Sequence, residues 1–542
     1  MSEHPVAPVP DRLFDDEHEQ RWRARFTAPR MSRPVWARDA PDRSVYTSNA
    51  SGTTEVYVWD RATDQHRKVT GRRSGTHIAT LPPDGGSVWW FADTDGDEFG
   101  HWVCEPFAGL PHGATAGPAL PGVEDGYPAG LEIGRRVVAA GTSTDDGTKI
   151  WLRRGDGPAE VVYQHAEDAG VGALSEDETL LAISHSEHGD ARHPAVRVVR
   201  VSDGGVVAEK SDGPGKALTP LVFAPVRGDG RLLLLHERRG REELLVWDVV
   251  TGTEHEVALD LPGEVLADFH PDGRHLLVWH TAAARTRLHG YDLETGSLTE
   301  LPVAPGCVGS AEVRPDGTVE YTCSSAAEPS AVRALHPDGT DRVLVAPPGA
   351  RAPGSVPVED LWVDGPGGRV HALVARPTGV DGPTPAVFTL HGGPHAADED
   401  RFNPARAAWV DAGFVVVEVN YRGSTGYGSL WRDAIEGRPG LTELEDVAAV
   451  HDRCVADGLV DARRCVVEGW SWGGYLALLA AGTQPGRWAA ALAGVPVADY
   501  LTAYADEMEP LRAFDRALFG GSPEQVPERY RVASPLTYVE AV

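Results

Sequence analysis

Short apolar runs that directly follow turn-forming residues recur through the first two thirds of the chain. Successive runs begin about 45 residues apart, and each is bounded by Gly, Pro or Asp and is too short for a helix. The runs are SVYTS from 44, SVWWF from 87, VVAAG from 137, LLAIS from 180, LLLLH from 232, LLVWH from 276 and VEYT from 319. This pattern predicts a repeated series of β-strands that follow tight turns.

A second series of apolar runs, each ending in a polar hairpin, lies between the first ones. Its members are VYVWDRATD at 56–64, WLRRGDG at 151–157, VVRVSDGG at 198–205, LVWDVVTG at 245–252, LHGYDLETG at 288–296 and ALHPDGT at 334–340. A repeat of about 45 residues with roughly four strands is typical of β-propeller blades. We predict a seven-bladed β-propeller over residues 31–345, preceded by an N-terminal extension, 1–30, with a helix around 15–26. The Trp-Asp pairs at 59–60 and 247–248 lack the Gly-His partner motif of WD40 repeats.

The pattern changes after a Pro-, Gly- and Ala-rich stretch at 346–360. Nearly all-apolar strands then alternate with helical segments, and the strands are predicted at 386–390, 414–420, 465–469 and 491–495. On the helix between the second and third of these strands, Thr442 and Glu445 have the spacing of a capping box, and Gly458 suits a left-handed stop. Such alternation predicts a parallel sheet covered on both faces. We therefore expect a multidomain β plus α/β protein, with an α/β-hydrolase catalytic domain over 346–542.

Composition and charge exclude several classes of function. The 542 residues are 41% apolar and 24% charged, which is ordinary for a protein with a packed core. The formal net charge of −30 repels phosphate backbones and anionic lipids. The first residues have no basic segment followed by an apolar one, and no run approaches the length that spans a bilayer. We expect a cytoplasmic protein that binds neither nucleic acid nor membranes; the sequence indicates no oligomeric state.

The cysteines and the acidic or histidine-rich loops do not indicate a metal site. Five cysteines without CxxC spacing favour buried thiols over a disulfide framework or a zinc site. The run DTDGDE at 93–98 lacks the Gly and Glu positions of a calcium loop, so we expect a hairpin. His185, His188 and His193 are expected to be solvated loop residues, and Glu242-Glu243 to face solvent from a strand. No phosphate-binding loop occurs, so we expect no cofactor and no metal.

The segment 469–475, GWSWGGY, carries the strongest chemical signal in the chain. It follows an apolar strand and opens a helix, which is the context of a G-x-S-x-G nucleophile elbow. Gly469 and Gly473 would remove side chains that collide in so sharp a turn. Ser471 would then present its hydroxyl as the catalytic nucleophile, and the amide of Trp472 would point to the place where an oxyanion forms.

A second oxyanion donor is expected in the loop directly after strand 386–390. The sequence there is HGGPH, at 391–395. In hydrolases with a nucleophile elbow, an HGG-type loop after the third strand brings a backbone amide close to the substrate. Gly393 is our candidate donor, with Gly392 as the alternate.

Three motifs together resemble a known family. HGGPH at 391–395, NYRGSTGYG at 420–428 and GWSWGGY at 469–475, in this order after a predicted propeller, resemble the prolyl oligopeptidase family of serine peptidases. The HGGP form is closer to its acylaminoacyl-peptidase and dipeptidyl-aminopeptidase-like branch. The resemblance implies a propeller that restricts access to the hydrolase site, peptide substrates, and hydrolysis through an acyl-enzyme on Ser471.

The triad departs from the family pattern. In such hydrolases the triad residues follow one another along the chain in the order Ser, then Asp or Glu, then His. No histidine occurs between Ser471 and Val542 of this chain. The resemblance implies an acid after a seventh strand and a histidine after an eighth, and the segment 491–495 would be the sixth. We therefore expect the triad Asp and His not to be in this sequence, the hydrolase domain to lack its last strands, and activity to be poor.

Few other residues could take the missing roles. The nearby upstream histidines are His391, His395 and His451; His451 lies on a helix that should face away from the site, and a loop histidine beside oxyanion donors is more often structural than a base. The downstream acids are Asp499, Asp506 and Asp515, which we expect on helix surfaces. Three functions remain open: a serine peptidase acting on short peptides from the amino-terminal end, an esterase with the same machinery, and a catalytically inactive peptide-binding protein.

Overall fold

A computed structural model describes residue 12 and residues 14–28, 30–346, 352–380 and 382–542. Most of the predicted N-terminal extension before the helix, and residues 347–351 of the Pro-rich stretch, lie outside the described residues. Helix α1 (Asp16–Phe26) occupies the predicted place. Among the described residues, no helix has both the length and the apolar character needed to cross a bilayer.

Seven four-stranded antiparallel sheets follow one another between Val35 and Val345 of the described chain, each built from consecutive strands. The first four sheets contain β1 (Val35–Ala37), β2 (Ala40–Ser48), β3 (Glu55–Asp60), β4 (Gln65–Lys68), β5 (Ala79–Thr80), β6 (Ser87–Asp93), β7 (Gly100–Pro106), β8 (Gly117–Pro118), β9 (Tyr127–Ile133), β10 (Val137–Thr144), β11 (Gly147–Arg154), β12 (Ala159–His165), β13 (Ala169–Leu174), β14 (Leu180–His185), β15 (Ala195–Arg200) and β16 (Val206–Lys210). The other three contain β17 (Leu218–Phe223), β18 (Arg231–His236), β19 (Glu243–Asp248), β20 (Glu254–Val257), β21 (Glu264–Phe269), β22 (His275–Ala282), β23 (Arg285–Asp292), β24 (Leu298–Glu300), β25 (Cys307–Val313), β26 (Val319–Ser325), β27 (Glu328–Leu335) and β28 (Asp341–Val345). The predicted seven-bladed propeller is confirmed.

Neighbouring blades are held together by apolar side chains from both sheets. Six clusters of buried residues each join two successive blades, from the first and second to the sixth and seventh. Between blades 4 and 5, for example, Val198 packs in one cluster with Leu232 and Trp247. Because each sheet has an apolar pattern on both faces, it needs a neighbour on each side, and a ring supplies that.

The seam between blades 7 and 1 is polar instead. Among the described residues no apolar cluster joins these two blades. Arg61 of blade 1 makes two hydrogen bonds, of 2.5 and 2.8 Å, to the Glu320 carboxylate of blade 7, and both side chains are almost fully buried. The Arg314 guanidinium lies 5.3 Å from the Trp36 ring and donates to the Pro41 carbonyl. The ring is therefore closed by charge-assisted contacts.

We expect Glu320→Ala to lower the free energy of unfolding by about 3–5 kcal/mol, because it leaves the buried Arg61 guanidinium without its counter-ion. Glu300→Ala is the matched control: it removes a carboxylate that pairs with Arg287 on the surface of blade 6, worth about 1 kcal/mol or less. Urea unfolding of both variants measures the difference. Equal losses in the two variants would mean that the pair does not close the ring.

The C-terminal part contains a six-stranded sheet in the order β29-β30-β32-β31-β33-β34. Its strands are β29 (Glu359–Gly365), β30 (Gly368–Ala375), β31 (Thr384–Leu390), β32 (Val415–Asn420), β33 (Val460–Trp470) and β34 (Ala490–Gly494). The last four in the order are parallel, as predicted. This is the predicted α/β-hydrolase arrangement, and β34 forms one edge of the sheet.

Helices cover both faces of this sheet. They are α2 (Pro404–Asp411), α3 (Ser429–Arg432), α4 (Leu441–Ala456), α5 (Trp472–Thr483), α6 (Tyr500–Asp506), α7 (Glu509–Phe519) and α8 (Pro527–Ala533), with short 3-10 turns at Asp433–Ile435 and Pro535–Ala541. The predicted capping box on α4 is wrong by two residues. The helix begins after Gly440, whose amide donates to the Glu443 carboxylate at 2.7 Å, and Glu445 instead pairs with the largely buried Arg422.

Candidate active site

Ser471 lies at a sharp turn between β33 and α5. The strand ends at Trp470 and the helix begins at Trp472, so one residue makes the whole connection. Ser471 has φ +54° and ψ −118°, a conformation that costs a non-glycine residue about 1–3 kcal/mol. Its amide donates to the Gly494 carbonyl (2.9 Å), and its carbonyl accepts from the Tyr475 amide (2.8 Å). These bonds hold the turn, and the side chain of Ser471 is exposed.

The glycines around Ser471 permit this turn by having no side chains. A Cβ on Gly473 would overlap the carbonyl oxygen of Leu390 at the end of β31, and one on Gly469 would overlap the backbone of Gly473. A Cβ on Gly474 would lie 2.5 Å from the Gly494 carbonyl oxygen. The first turn of α5 therefore rests directly on the ends of β31, β33 and β34. This close packing is what the two glycines of the predicted elbow allow.

The backbone amides of Trp472 and Gly393 are the two candidate oxyanion donors. Among the described residues, neither the Trp472 amide nor the Gly393 amide donates a hydrogen bond. Trp472 is the first residue of α5, where the helix dipole favours negative charge. The loop 391–395 passes close to Ser471, because a Cβ built on Gly392 would be 3.7 Å from the Ser471 Cβ. The amide of Gly392 is unpaired too, so both candidates for the second donor stay open.

The Trp472 side chain is fixed by a buried glutamate. Its indole nitrogen donates to Glu443 of α4 at 3.3 Å, and the other oxygen of Glu443 accepts from the Gly440 amide. Burial raises the pKa of Glu443 to about 8. No sequence pattern indicated a structural function for Glu443. The start of α4 and the start of α5 are thereby joined through one carboxyl group.

We expect Gly473→Ala to lower the free energy of unfolding by about 3 kcal/mol or more, because the added methyl group overlaps backbone that is part of the sheet. Gly486→Ala is the control, since no atom lies within 4 Å of a Cβ at that position, and a change within about 0.5 kcal/mol is expected. Thermal unfolding of the two variants provides the comparison. A Gly473→Ala protein as stable as the control would contradict the proposed packing of the elbow.

The loop histidines are tied into the structure and do not contact Ser471. His391 is buried; its Nδ1 donates to the Gly392 carbonyl (2.8 Å), and its Nε2 accepts from the Ser424 hydroxyl (2.7 Å). In His395, Nδ1 donates to the Gly423 carbonyl, while Nε2 faces Arg192 at 3.0 Å. Burial lowers the pKa of both rings to about 4. Both therefore hold the 391–395 loop in place as neutral rings.

No general base is hydrogen-bonded to the Ser471 hydroxyl in the described part of the chain. His451 on α4 contacts Arg487 and Trp488 instead. Of the acids, Asp499 caps α6 by accepting from the Leu501 amide. The expectation that Asp515 lies on a helix surface is wrong: its side chain is buried, and burial, with Glu507 beside it, raises its pKa to about 8.

A network of ion pairs joins the propeller to the hydrolase part beside this site. Arg192, in the loop before β15, binds Asp433 (2.7 Å) and Glu436 (2.5 Å) as well as His395. From the hydrolase side, Arg432 binds Glu237 of the propeller at 2.7 Å. Sequence reasoning missed these residues, because ion pairs between parts hundreds of residues apart leave no local pattern.

The expectations for four propeller residues, His185, His193, Glu242 and Glu243, are wrong. His185 and His193 are buried rather than solvated. Glu243 is buried against Arg239 and Arg241, and Glu242 faces Arg432 at 3.6 Å. Burial raises the pKa of Glu242 to about 7. His193, Asp433 and Glu436 are close enough to hold a metal ion, but the Arg192 guanidinium already binds both of these carboxylates.

His193 makes the interface sensitive to alkaline pH. Burial opposes its charge, but Asp190 (2.8 Å) and Asp433 (3.6 Å) outweigh burial and raise its pKa to about 9. Because this pKa is raised, the charged His193 ring stabilises the folded protein fully below about pH 6.5, and this stabilisation is lost as the pH rises through 9.

The free energy of unfolding of the parent should fall by at most about 3 kcal/mol between these pH values. We expect His193→Gln to remove this fall. His112→Gln, at an exposed histidine of the propeller, should keep the slope of the parent. Urea unfolding at several pH values measures the slope. If His193→Gln and the parent had the same slope, His193 would not be charged in the folded protein.

Comparisons with known proteins show which proteins this chain is similar to. Residues 400–542 match the model of the prolyl oligopeptidase family. An acylamino-acid-releasing enzyme 1 of Oryza sativa subsp. japonica is 35% identical over 113 residues, which are 21% of this chain and 15% of that protein. A dipeptidyl-peptidase 5 of Arthroderma otae is 35% identical over 138 residues, 24% of this chain and 19% of that protein. The aligned segments thus span less than a fifth of either relative.

A solved structure extends the likeness of fold over nearly the whole chain. A puromycin-hydrolyzing peptidase of Mycobacterium tuberculosis superposes with a TM-score of 0.78 at 21% sequence identity. The superposition covers 96% of this chain and 85% of that one. The likeness therefore includes both the propeller and the sheet that carries Ser471.

Proposed function

We propose that this chain is a serine peptidase that cleaves short peptides from their amino-terminal end; residues 400–542 match the model of the prolyl oligopeptidase family. One observation carries the proposal: an exposed hydroxyl at a strained strand-to-helix turn lies close to backbone amides that donate no hydrogen bond among the described residues. Acyl transfer needs these elements, a nucleophile at the surface of a rigid turn and donors aimed at the developing oxyanion.

The reaction would proceed through an acyl-enzyme. The Ser471 oxygen bonds to the scissile carbonyl carbon and passes its proton to solvent water, and the carbonyl oxygen becomes an oxyanion that accepts from the Trp472 and Gly393 amides. Collapse of this intermediate breaks the C–N bond, and the amine leaves with a proton. Water then attacks the ester and releases the acid, and Ser471 regains its hydrogen.

The described residues offer no base for the first proton transfer. A serine hydroxyl without a base is a poor nucleophile, and the oxyanion donors with binding alone supply an acceleration of about 10³ to 10⁴ over water. We propose that the acid and the histidine are not in this sequence and that peptide hydrolysis by this chain is slow.

This deficiency favours a second candidate, an esterase. An alkoxide or phenolate leaves without the proton that an amine needs, so an ester depends less on a general acid. The same oxyanion donors would serve both reactions. Turnover of an acyl ester by Ser471 without any turnover of the matching peptide amide would reject the peptidase.

We expect imidazole to restore activity, because a small soluble base can reach the exposed Ser471 hydroxyl. The measurement is the rate of aminoacyl p-nitroanilide hydrolysis, and of fluorophosphonate labelling, against imidazole concentration. Both rates should rise by about tenfold or more. Ser471→Ala is the control and should show neither response.

Two outcomes would overturn parts of this proposal. Fast labelling that does not depend on imidazole would mean that the chain supplies its own base. A parent protein that behaves as Ser471→Ala under all conditions would reject a catalytic Ser471 and leave a peptide-binding protein as the function.

A further inference from the structure

Glu443 is a buried carboxyl group that the proposed reaction does not use. Its side chain is fully buried, and in the described part of the chain no Arg, Lys or His pairs with it. The Arg422 guanidinium pairs with Asp446 and Glu445 of the same helix instead. Burying a carboxyl group without a cation costs free energy. The hydrogen bonds to its two oxygens offset part of that cost.

Two N–H groups from different elements donate to the two oxygens of Glu443. Oε2 accepts from the Gly440 amide at 2.7 Å, which completes the cap of α4. Oε1 accepts from the indole nitrogen of Trp472 at 3.3 Å. The cap uses only one oxygen, so the second bond is not part of the start of α4. It ties this helix to the residue that follows the nucleophile.

The indole bond restrains the residue that carries one of the candidate oxyanion donors. The Trp472 ring is buried, and it packs edge-on against Tyr475 with 5.1 Å between the ring centroids. Such packing encloses the ring, whereas a hydrogen bond also fixes the direction of its N–H group. Because Trp472 is the first residue of α5 and directly follows the strained Ser471, its side chain and its amide are held by one short piece of backbone.

The loop 391–395, which carries the other candidate donor, is anchored by a residue near Glu443. The Tyr421 hydroxyl donates to the His391 carbonyl at 2.7 Å, and the two rings are stacked with their centroids 4.3 Å apart. Burial, and to a smaller extent the charge of Glu443, raises the pKa of Tyr421. Glu443 is therefore close to the anchor of this loop as well as bonded to Trp472.

We propose that Glu443 is a positioning residue for the oxyanion site: by binding the Trp472 indole, it keeps the Trp472 amide pointing to the place where the oxyanion forms. This inference rests on the proposed function, because it gives Glu443 a part in the reaction of Ser471. Donors contribute most to the rate when they already point at the developing charge. If Glu443 only capped α4, loss of its bond to Trp472 would leave the reaction unchanged.

Glu443→Gln separates the two contacts of this residue. Glutamine also serves in capping boxes, so its one acceptor oxygen can keep the Gly440 bond, but its NH₂ group cannot accept from the indole. With imidazole present, we expect the rate constant for phosphonylation of Ser471 at saturating fluorophosphonate to fall by about tenfold. The half-saturating concentration should change by less than about twofold, and the melting temperature should not fall. Glu445→Gln, on the same helix, is the matched control and should react as the parent does.

Trp472→Phe tests the same contact from its other end. It keeps a ring beside Tyr475 and removes the indole N–H, so the rate constant should fall to a similar degree. The double variant should be no slower than the slower single variant, because both changes remove one contact. If Glu443→Gln does not fold, the result for Trp472→Phe decides alone.

The outcomes distinguish this inference from the proposed function. Phosphonylation at the parent rate in a folded Glu443→Gln or Trp472→Phe protein, or losses that multiply in the double variant, would overturn the positioning role and leave a reactive Ser471 in place. A parent protein that is not phosphonylated at all would overturn the proposed function, and the assignment of Glu443 with it.

Discussion

The candidate site depends on a steric constraint at the contact between Gly473 and Leu390. The helix that starts at Trp472 can rest on the ends of the parallel strands only where no Cβ intervenes. This contact forces the chain to turn within one residue, and Ser471 takes the strained backbone conformation. The same close approach brings the loop after β31 next to the serine. The exposed hydroxyl of Ser471 and its closeness to the 391–395 loop are therefore consequences of one packing arrangement, with the strain offset by the bonds from the Ser471 amide and carbonyl.

In the described part of the chain, ion pairs join the propeller to this arrangement, and no apolar cluster contains residues of both parts. Arg192 reaches from the propeller to Asp433 and to His395, which lies in the loop that carries Gly393. The propeller ring itself is closed by the buried pair of Arg61 and Glu320. Ion pairs of this kind define geometry well but add little net stability, because each charge has lost its water. The position of the loop beside the serine is thus linked to the propeller through polar contacts.

Local patterns predicted the fold better than they predicted the environment of the site. Each of the seven short apolar runs that follow turn residues lies in the second strand of a blade. The glycines of the elbow also act through contacts close to them in the chain or at the adjoining strand ends. The predicted start of α4 was wrong because the residue that caps the helix is Gly440, whose amide donates to Glu443, and not a threonine. His193 and Asp515 are buried, and Glu242 faces Arg432, only in the folded chain, so no spacing in the sequence indicates these environments.

The most direct test of the account is a crystal structure of the chain after reaction with a phosphonate that traps the tetrahedral state. The account predicts a covalent bond to the Ser471 oxygen, with a phosphonyl oxygen about 3 Å from the Trp472 amide and from an amide of the 391–395 loop. A phosphonyl oxygen that faces solvent, away from both amides, would contradict the assignment of these groups as an oxyanion site.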